Sequence, residues 1–196
     1  MWNERYADKE YVYGTEPNTF LAEQASLLIN PVLSLAEGEG RNAVFLATRG
    51  LTVHGVDGSE VGLAKARALA KSRGVEIQTD VVDLALFEPA ANHYGSVISI
   101  SAHLPSAIRS RLYPLVEQCL KPGGILLLEA YSEAQLNRDT GGPKDPDMLM
   151  SMAKIKHEFP NFEPVVLREL EREMHEGKYH NGLACVVQFI GKKKTK

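Results

Sequence analysis

Residues 32–59 read VLSLAEGEGRNAVFLATRGLTVHGVDGS, and this stretch decides the fold class. The apolar run Val32–Leu35 predicts a strand buried on both faces, and Gly38 and Gly40 follow it at once. Helix-forming residues come next, a glycine stands where helices commonly end, and residues 51–56 predict a second strand. The stretch therefore predicts a strand–helix–strand unit with a glycine turn after its first strand.

An acid, Asp57, ends the second strand of this unit. The amide groups at the start of a helix favour anionic or polar ligands, and a carboxylate on the next strand can accept hydrogen bonds from both ribose hydroxyls. Gly38, Gly40 and Asp57 together predict a nucleoside site. The alternative is a unit whose glycines only shape a turn.

Strands and helices continue to alternate beyond this unit. A helix runs from Ser59 to Lys71, with Val61, Ala64 and Ala68 on its inner face. The remaining predicted elements are strands at 75–82, 96–101 and 125–128, helices at 105–120 and 148–159, a loop at 137–147, and hairpin strands at 165–174 and 183–190. This order predicts an α/β fold, a Rossmann-like doubly wound sheet of seven strands, mostly parallel, with an antiparallel C-terminal hairpin.

Composition excludes several classes of function. The chain has 196 residues, 44% hydrophobic and 24% charged, with a net charge of −3, which gives no support to a nucleic-acid partner. No apolar run approaches the roughly 20 residues of a membrane span, and no signal peptide is recognisable, so we expect a cytoplasmic protein without a membrane partner. The two cysteines lie far apart without metal-ligand spacing, and no metal site is predicted.

Polar residues follow each of the first five predicted strands, and ligands of open α/β sheets bind at that edge. These residues are Glu37–Asn42, Asp57–Ser59, Asp83–Leu84, Ser101–His103 and Glu129–Tyr131. Two cofactor classes compete at this point. The spacing Gly38-x-Gly40-x-x-Ala43 fits a dinucleotide, whereas the closing hairpin fits the sheet of S-adenosylmethionine (SAM) methyltransferases better.

The chain resembles the class I SAM-dependent methyltransferases, and more narrowly the tellurite-resistance group related to thiopurine methyltransferases. Residues 35–42, LAEGEGRN, stand where this group has L-G-x-G-x-G-R-N after a strand-end Asp. Further matches are Val56-Asp57-x-Ser59, Asp83-Leu84, Lys121-Pro-Gly-Gly124, Trp2-x-x-Arg5-Tyr6 and Tyr13-Gly14-x-x-Pro17. Two positions depart from the pattern, because Ser34 replaces the acid and Ala36 replaces the first glycine.

The resemblance implies one methyltransferase domain over residues 1–196. Residues 1–30 would form a cap segment and helix, 31–131 the SAM-binding core, and 132–190 the acceptor-side loop, helix and hairpin. SAM would be the cofactor and S-adenosylhomocysteine (SAH) the product. The predicted cofactor-binding residues are Ala36, Glu37, Gly38, Gly40, Asn42, Asp57, Gly58, Ser59, Asp83, Leu84 and Ser101.

The resemblance also implies a small, soft methyl acceptor, such as a thiol or a selenium or tellurium oxyanion. Residues 169–172, ELER, resemble the group's E-L-H-R stretch, which makes Arg172 a candidate for holding the acceptor. An acceptor that starts as a thiol or hydroxyl needs a base, and His103, His175 or His180 could serve. An NAD-linked oxidoreductase and a SAM-binding protein without turnover are the alternatives, and the chain is expected to be a monomer or a homodimer.

Overall fold

The structure is a computed structural model that describes residues 2–195, in which a single mixed sheet carries helices. Its strands are β1 (Val32–Leu35), β2 (Val53–Asp57), β3 (Gln78–Val81), β4 (Tyr94–Ile100), β5 (Leu120–Tyr131), β6 (Phe162–Glu176) and β7 (His180–Lys193). Its helices are α1 (Trp2–Arg5), α2 (Thr19–Gln24), α3 (Arg41–Thr48), α4 (Glu60–Ser72), α5 (Ser106–Cys119) and α6 (Met152–Glu158). Short 3₁₀ turns cover Ala25–Leu27, Glu133–Asn137 and Pro146–Met148.

The strands lie side by side in the order β3-β2-β1-β4-β5-β7-β6. Strands β1 to β5 are parallel, and β7 pairs antiparallel with both β5 and β6. Val32 pairs with Val53 on one side and Ser96 on the other, so β1 occupies the middle of the parallel part. The predicted fold class is confirmed. The carboxyl ends of five parallel strands consequently share one edge of the sheet.

Several element boundaries differ from the prediction. The helix predicted at 148–159 begins only at Met152, because the Ser151 side chain accepts a hydrogen bond from the Lys154 amide and caps it there. Met150 is extended and bridges Ser132. Both hairpin strands are longer than predicted, and β5 already starts at Leu120.

Helix α4 turns a different face to the core from the predicted one. The prediction placed Val61, Ala64 and Ala68 inside, and for the two alanines it is wrong, since both are exposed. The buried residues of α4 are Gly62, Leu63, Ala66, Leu69 and Ala70. A Cβ on Gly40 would lie only 2.6 Å from the Ala66 Cα, so small residues on α4 let this helix approach the loop after β1.

Two apolar clusters cover the sheet. One joins the β-strands to α5 and α6 through residues such as Leu112 and Ile155, and the other joins them to α2 and α3 through residues such as Phe20 and Leu46. Among residues 2–195 no helix has both the length and the apolar character that crossing a membrane requires.

Candidate active site

The loop between β1 and α3, residues 36–40, is the part of the site closest to the sheet centre, and we call it the glycine loop. Gly38 and Gly40 have φ angles of +63° and +94°, a left-handed conformation that glycine adopts without strain. Ala36 has φ +51° although it stands at the position where the resembled group has glycine. An alanine in this region costs about 1 kcal/mol, so the departure at Ala36 preserves the backbone path at some expense of stability.

Glu37 holds the glycine loop in place through two hydrogen bonds. Its Oε1 accepts a hydrogen bond from the Ala43 amide at 2.9 Å, and Ser34 donates its hydroxyl to Oε2. Burial raises the pKa of Glu37 to about 7, although both donors and the nearby Arg41 favour the carboxylate. Glu37 thus brings a carboxyl group to Ser34, which stands where the resembled group has an acid, and ties it to the first turn of α3.

Asp57 joins the ends of β1 and β2. Its Oδ2 accepts from the Gly38 amide at 2.9 Å and its Oδ1 from the Ser59 amide at 2.8 Å. Burial raises the pKa of Asp57, and the two amide donors oppose that shift. Ser59, after Gly58, caps α4 by accepting a hydrogen bond from the Gly62 amide. The predicted neighbours therefore do meet, with Asp57 at the centre.

The next strands bring the remaining predicted cofactor residues to the same edge. Val82 donates its amide to the Asp57 carbonyl at 2.9 Å, which places exposed Asp83 and buried Leu84 directly beyond it. Ser101 ends β4 with φ +55° and donates its amide to the Glu129 carbonyl on β5.

Residues 2–17 lie over this edge, and we call them the N-terminal cover. The Tyr6 ring packs on Gly38 and Gly62, since Cβ atoms there would lie 2.7 Å and 2.9 Å from it. On α4, the Lys65 Nζ donates to the carbonyls of Asp8 and Glu10 at 2.9 Å and 2.6 Å. It also donates to the side chain of Glu39, which is 4% exposed.

A second contact anchors the C-terminal end of the N-terminal cover. The Asn18 amide donates to Oδ1 of Asn42, a predicted cofactor residue, at 2.9 Å. Asn18 Nδ2 donates to Glu129 and Glu176 at 2.8 Å and 2.9 Å. Asn18, directly after the cover, is thus bound at once to the glycine motif, to β5 and to β6 of the hairpin.

Arg172 is enclosed by carboxylates. Its Nη2 lies 2.6 Å from Glu129 Oε1 and 2.9 Å from Glu176 Oε1, and its Nε donates to Glu129 Oε2 at 3.2 Å. Gln188 Nε2 also donates to Glu129, at 2.6 Å. The two carboxylates favour the charged guanidinium and raise the pKa of Arg172. Its charge is therefore already balanced within the protein.

His103 lies at the predicted place, after β4, but its ring is engaged. The Tyr131 amide donates to His103 Nε2 at 3.0 Å, and the two rings stack with centroids 5.2 Å apart. Desolvation lowers the pKa of His103 to about 3, and the Ser101 backbone opposes this only in part. To accept a proton at Nε2, His103 would first have to give up its bond to Tyr131.

His180 begins β7, and its ring lies between Tyr13 and Tyr131 at centroid distances of 4.7 Å and 5.3 Å. Its Nδ1 is 3.8 Å from Glu176 Oε2, too far for a hydrogen bond. Burial lowers the pKa of His180, whereas Glu176 acts in the opposite direction. A neutral imidazole with an unbonded nitrogen can accept or donate a proton.

Sequence reasoning gave no role in the site to Asn18, Lys65 and Glu176, and it placed Glu129 at this edge without assigning it a partner. Each acts through a partner more than 20 residues away, and no local pattern signals such pairs. Arg41 was visible in the quoted motif but was given no role. Its Nη2 binds Glu176 Oε2 at 2.7 Å.

Comparisons with known proteins agree with this geometry. Residues 32–124 match the family model described as a methyltransferase domain. A 2-heptyl-1-hydroxyquinolin-4(1H)-one methyltransferase from Mycobacteroides abscessus is 26% identical over 129 residues, 63% of this chain and 57% of that protein. The chain thus matches little more than half the length of this relative.

Two solved structures share the fold. One comes from work on the conversion of a disulfide bond into a thioacetal group during echinomycin biosynthesis, with a TM-score of 0.78, 17% identity, and 98% of this chain and 91% of that one covered. TehB from Haemophilus influenzae has a TM-score of 0.72 and 18% identity, covering 98% of this chain and 66% of its own.

The strand order, the glycine loop with Asp57 at its edge, and the match over residues 32–124 point to one class of protein. They support a class I SAM-dependent methyltransferase that uses SAM, and the family model itself covers a little less than half of the chain. The residues at this edge suit that cofactor, since Gly38 places no side chain beside the loop and a carboxylate stands at the end of β2. No group of three or more His, Cys, Asp or Glu suited to a metal ion occurs within residues 2–195.

Proposed function

We propose that this protein transfers the methyl group of SAM to a small, soft acceptor. The observation that carries the proposal is the pair of hydrogen bonds from Gly38 and Ser59 to Asp57, which fixes a carboxylate at the cofactor edge of a methyltransferase domain. The other residues named for the cofactor, from Ala36 to Ser101, line the same edge.

SAM supplies a methyl group that its sulfonium already activates. The protein therefore has to hold the cofactor, align the acceptor and exclude water. Asp57 would bind the ribose hydroxyls, and Asp83 with the Leu84 backbone would bind the adenine amine. Glu37 acts through the shape of the glycine loop, because both its oxygens already accept hydrogen bonds from the chain.

The proposed acceptor is a small molecule with a thiol, hydroxyl or chalcogen oxyanion. Two similarities favour a small acceptor: the M. abscessus relative carries the name of a quinolone methyltransferase, and TehB shares the fold. A nucleic-acid acceptor is not favoured, because neither the motifs nor the net charge of −3 suggests one. Of the residues named for catalysis, we assign proton transfer to His180 and positioning roles to His103 and Arg172, since both are held by internal bonds.

Calorimetry with Asp57→Asn tests the cofactor site. The variant keeps one carbonyl oxygen but turns an NH₂ group towards an amide donor, and we expect SAM to bind about 2 kcal/mol more weakly. Glu76→Gln, at an exposed carboxylate before β3, is the matched control and should bind SAM normally. Equal SAM affinity in Asp57→Asn and wild type would remove Asp57 from the site.

Methyl transfer is tested with labelled SAM and a panel of thiols, phenols, selenite and tellurite. Transfer to at least one of these small acceptors is expected. SAM binding without transfer to any of them, while a macromolecule becomes labelled, would contradict the small acceptor. Binding without transfer to anything would favour a SAM-binding protein without turnover.

A further inference from the structure

Three buried side-chain atoms within residues 2–195 have no hydrogen-bond partner: Arg41 Nη1, Ser132 Oγ and His180 Nδ1. Arg41 is 6% exposed and His180 8% exposed. A buried polar group without a partner costs about 1–3 kcal/mol, so native proteins seldom leave one without a reason. Two of the three atoms belong to Arg41, at the start of α3, and to His180, at the start of β7.

Arg41 and His180 flank the same carboxylate oxygen. Glu176 Oε2 binds Arg41 Nη2 at 2.7 Å and lies 3.8 Å from His180 Nδ1. One nitrogen of the Arg41 guanidinium, Nη2, is thereby bound, and the hydrogens of the other, Nη1, remain free. A ligand oxygen or sulfur near Glu176 can therefore meet an arginine donor and an imidazole nitrogen together.

The comparison with Arg172 shows why Arg41 is the better anion donor. All three guanidinium nitrogens of Arg172 have protein acceptors, on Glu129, Glu176 and the Glu173 carbonyl. Four of its five N–H donors are thereby used, so Arg172 has at most one N–H, on Nη1, left for an anion. Arg41 can bind one without releasing Glu176.

Aromatic rings adjoin this pair. His180 contacts the Tyr131 ring edge-on, and Tyr131 stacks on His103. A phenol already lies beside His180, because the Tyr13 ring of the N-terminal cover packs there at a centroid distance of 4.7 Å. The Tyr13 hydroxyl accepts a hydrogen bond from Arg5 Nη1 at 3.0 Å. The surface next to His180 is therefore suited to an aromatic ring that bears a hydroxyl.

We propose that Arg41 Nη1 and His180 Nδ1 form the acceptor subsite, and that it takes an aromatic molecule with an acidic hydroxyl or thiol. This proposal rests on the proposed function and names its acceptor class. In this structure the Tyr13 ring lies against the His180 ring, and an acceptor ring takes its place when the N-terminal cover moves.

The reaction balances without a further reactant. His180 Nδ1 takes the proton of the acceptor hydroxyl or thiol, and the Arg41 N–H groups stabilise the oxygen or sulfur anion. That atom forms a bond to the methyl carbon. The bond from this carbon to the sulfonium breaks, its electron pair stays on the cofactor sulfur, and His180 releases the proton to water.

The test uses 4-nitrophenol, whose visible absorbance distinguishes phenol from phenolate, with wild-type protein saturated with SAH. We expect saturable binding with the phenolate favoured. Arg41→Lys keeps a cation for Glu176 but loses the free Nη1 group, and it should bind the phenolate at least tenfold more weakly. The exposed Arg67→Lys is the matched control and should bind it like wild type.

His180→Gln separates the proton acceptor from the anion donor. It should still bind 4-nitrophenol but no longer favour the phenolate as wild type does. No saturable binding to wild type, or equal binding to Arg41→Lys, would overturn the subsite. Circular dichroism and SAH affinity establish that each variant is folded.

Cofactor measurements distinguish the failure of this proposal from that of the proposed function. If Arg41→Lys loses affinity for SAH but not for 5′-methylthioadenosine, which lacks the carboxylate, Arg41 binds the cofactor and the acceptor subsite is wrong. If wild-type protein binds neither SAM nor SAH, the proposed function itself fails.

Discussion

The glycine loop and the N-terminal cover meet at Gly38 but are held in different ways. The loop is fixed by buried carboxylates that accept from backbone amides, Glu37 from Ala43 and Asp57 from Gly38. The cover is fixed from outside, mainly by the Lys65 ammonium donating to its carbonyls and by the Tyr6 ring. Most residues of α1 and the following turn are exposed, whereas the loop residues from Glu37 to Gly40 are buried.

This difference indicates that the glycine loop is already formed before a ligand binds, whereas the N-terminal cover can move. Backbone amides bound to buried carboxylates open only when the surrounding structure opens. The cover contributes no strand to the sheet and is held mainly by side-chain contacts, so it can detach while the sheet stays folded. The cofactor edge is thus ready for SAM, and access to it depends on the N-terminal cover.

The largest effect on the free energy of unfolding is expected for a substitution at Gly40. It combines a left-handed φ of +94° with the 2.6 Å approach of its missing Cβ to Ala66. Gly40→Ala should lower the free energy of unfolding by about 4 kcal/mol, the sum of backbone strain and overpacking. Urea unfolding measures it.

Gly50 is the matched control for Gly40. Its φ is +85°, but a Cβ there would meet no atom of the described residues within 4 Å. Gly50→Ala should therefore cost only the backbone strain, about 1 kcal/mol. Equal costs at the two positions would show that close packing of the glycine loop on α4 contributes nothing.

The next largest effect is a pH-dependent change in stability, and it is expected at Glu37. Its pKa is about 7 in the folded protein against an ordinary value of 4.5, so the folded state holds a proton that the unfolded state releases between those values. The stabilisation is complete below pH 4.5 and is lost as the pH rises to 7. Glu37→Gln does not titrate, and its stability relative to wild type should rise over that window by up to about 3 kcal/mol.

Unfolding in urea at several pH values between 4 and 8 measures this difference. Glu23→Gln, at an exposed carboxylate on α2, provides the control for loss of a surface charge. If the difference between Glu37→Gln and wild type does not change with pH, Glu37 is ionised throughout and the loop is held by a charged carboxylate.

Much of the sheet could be predicted because its signals are local. Val32, Leu33 and Leu35 are apolar and are followed by glycines, and the helix predicted from Ser59 is capped by the Ser59 side chain. The predicted inner face of α4 was wrong because it followed Val61 and two alanines, whereas the buried face carries Leu63 and Leu69. Ala66 lies on that face, where it packs against Gly40.

The site was predicted less completely because its charges pair across the sheet. Arg172 meets Glu129 only through the register that places Glu129 beside Gln188 and Arg172 beside Ala184. A strand prediction does not supply that register, so Arg172 was taken as a free cation. His103 was placed correctly after β4, but its bond to the Tyr131 amide depends on the course of β5.

The smallest effect on global stability, and the sharpest on the N-terminal cover, is expected at Lys65. Removing the lysine alone would leave the buried Glu39 carboxylate without its cation, so the test variant combines Lys65→Met with Glu39→Gln. We expect a global loss of about 1 kcal/mol, because only a few hydrogen bonds to exposed backbone disappear. Amide exchange in residues 3–13 should become at least tenfold faster, while the amides of Gly38 and Ala43 keep their protection.

The fluorescence of Trp2 can report whether the N-terminal cover opens when SAM binds. Trp2 is the only tryptophan of the chain and lies in the N-terminal cover. Its ring stacks on Tyr6, which rests on Gly38, so cofactor binding at the glycine loop should change its fluorescence. If the cover must open before SAM enters, this change should be faster in the double variant than in wild type and in the Glu39→Gln control. Equal rates in all three would mean that SAM reaches the loop without displacing the cover. Lost protection at Gly38 together with residues 3–13 would mean that loop and cover open as one unit, and the distinction between them would fail.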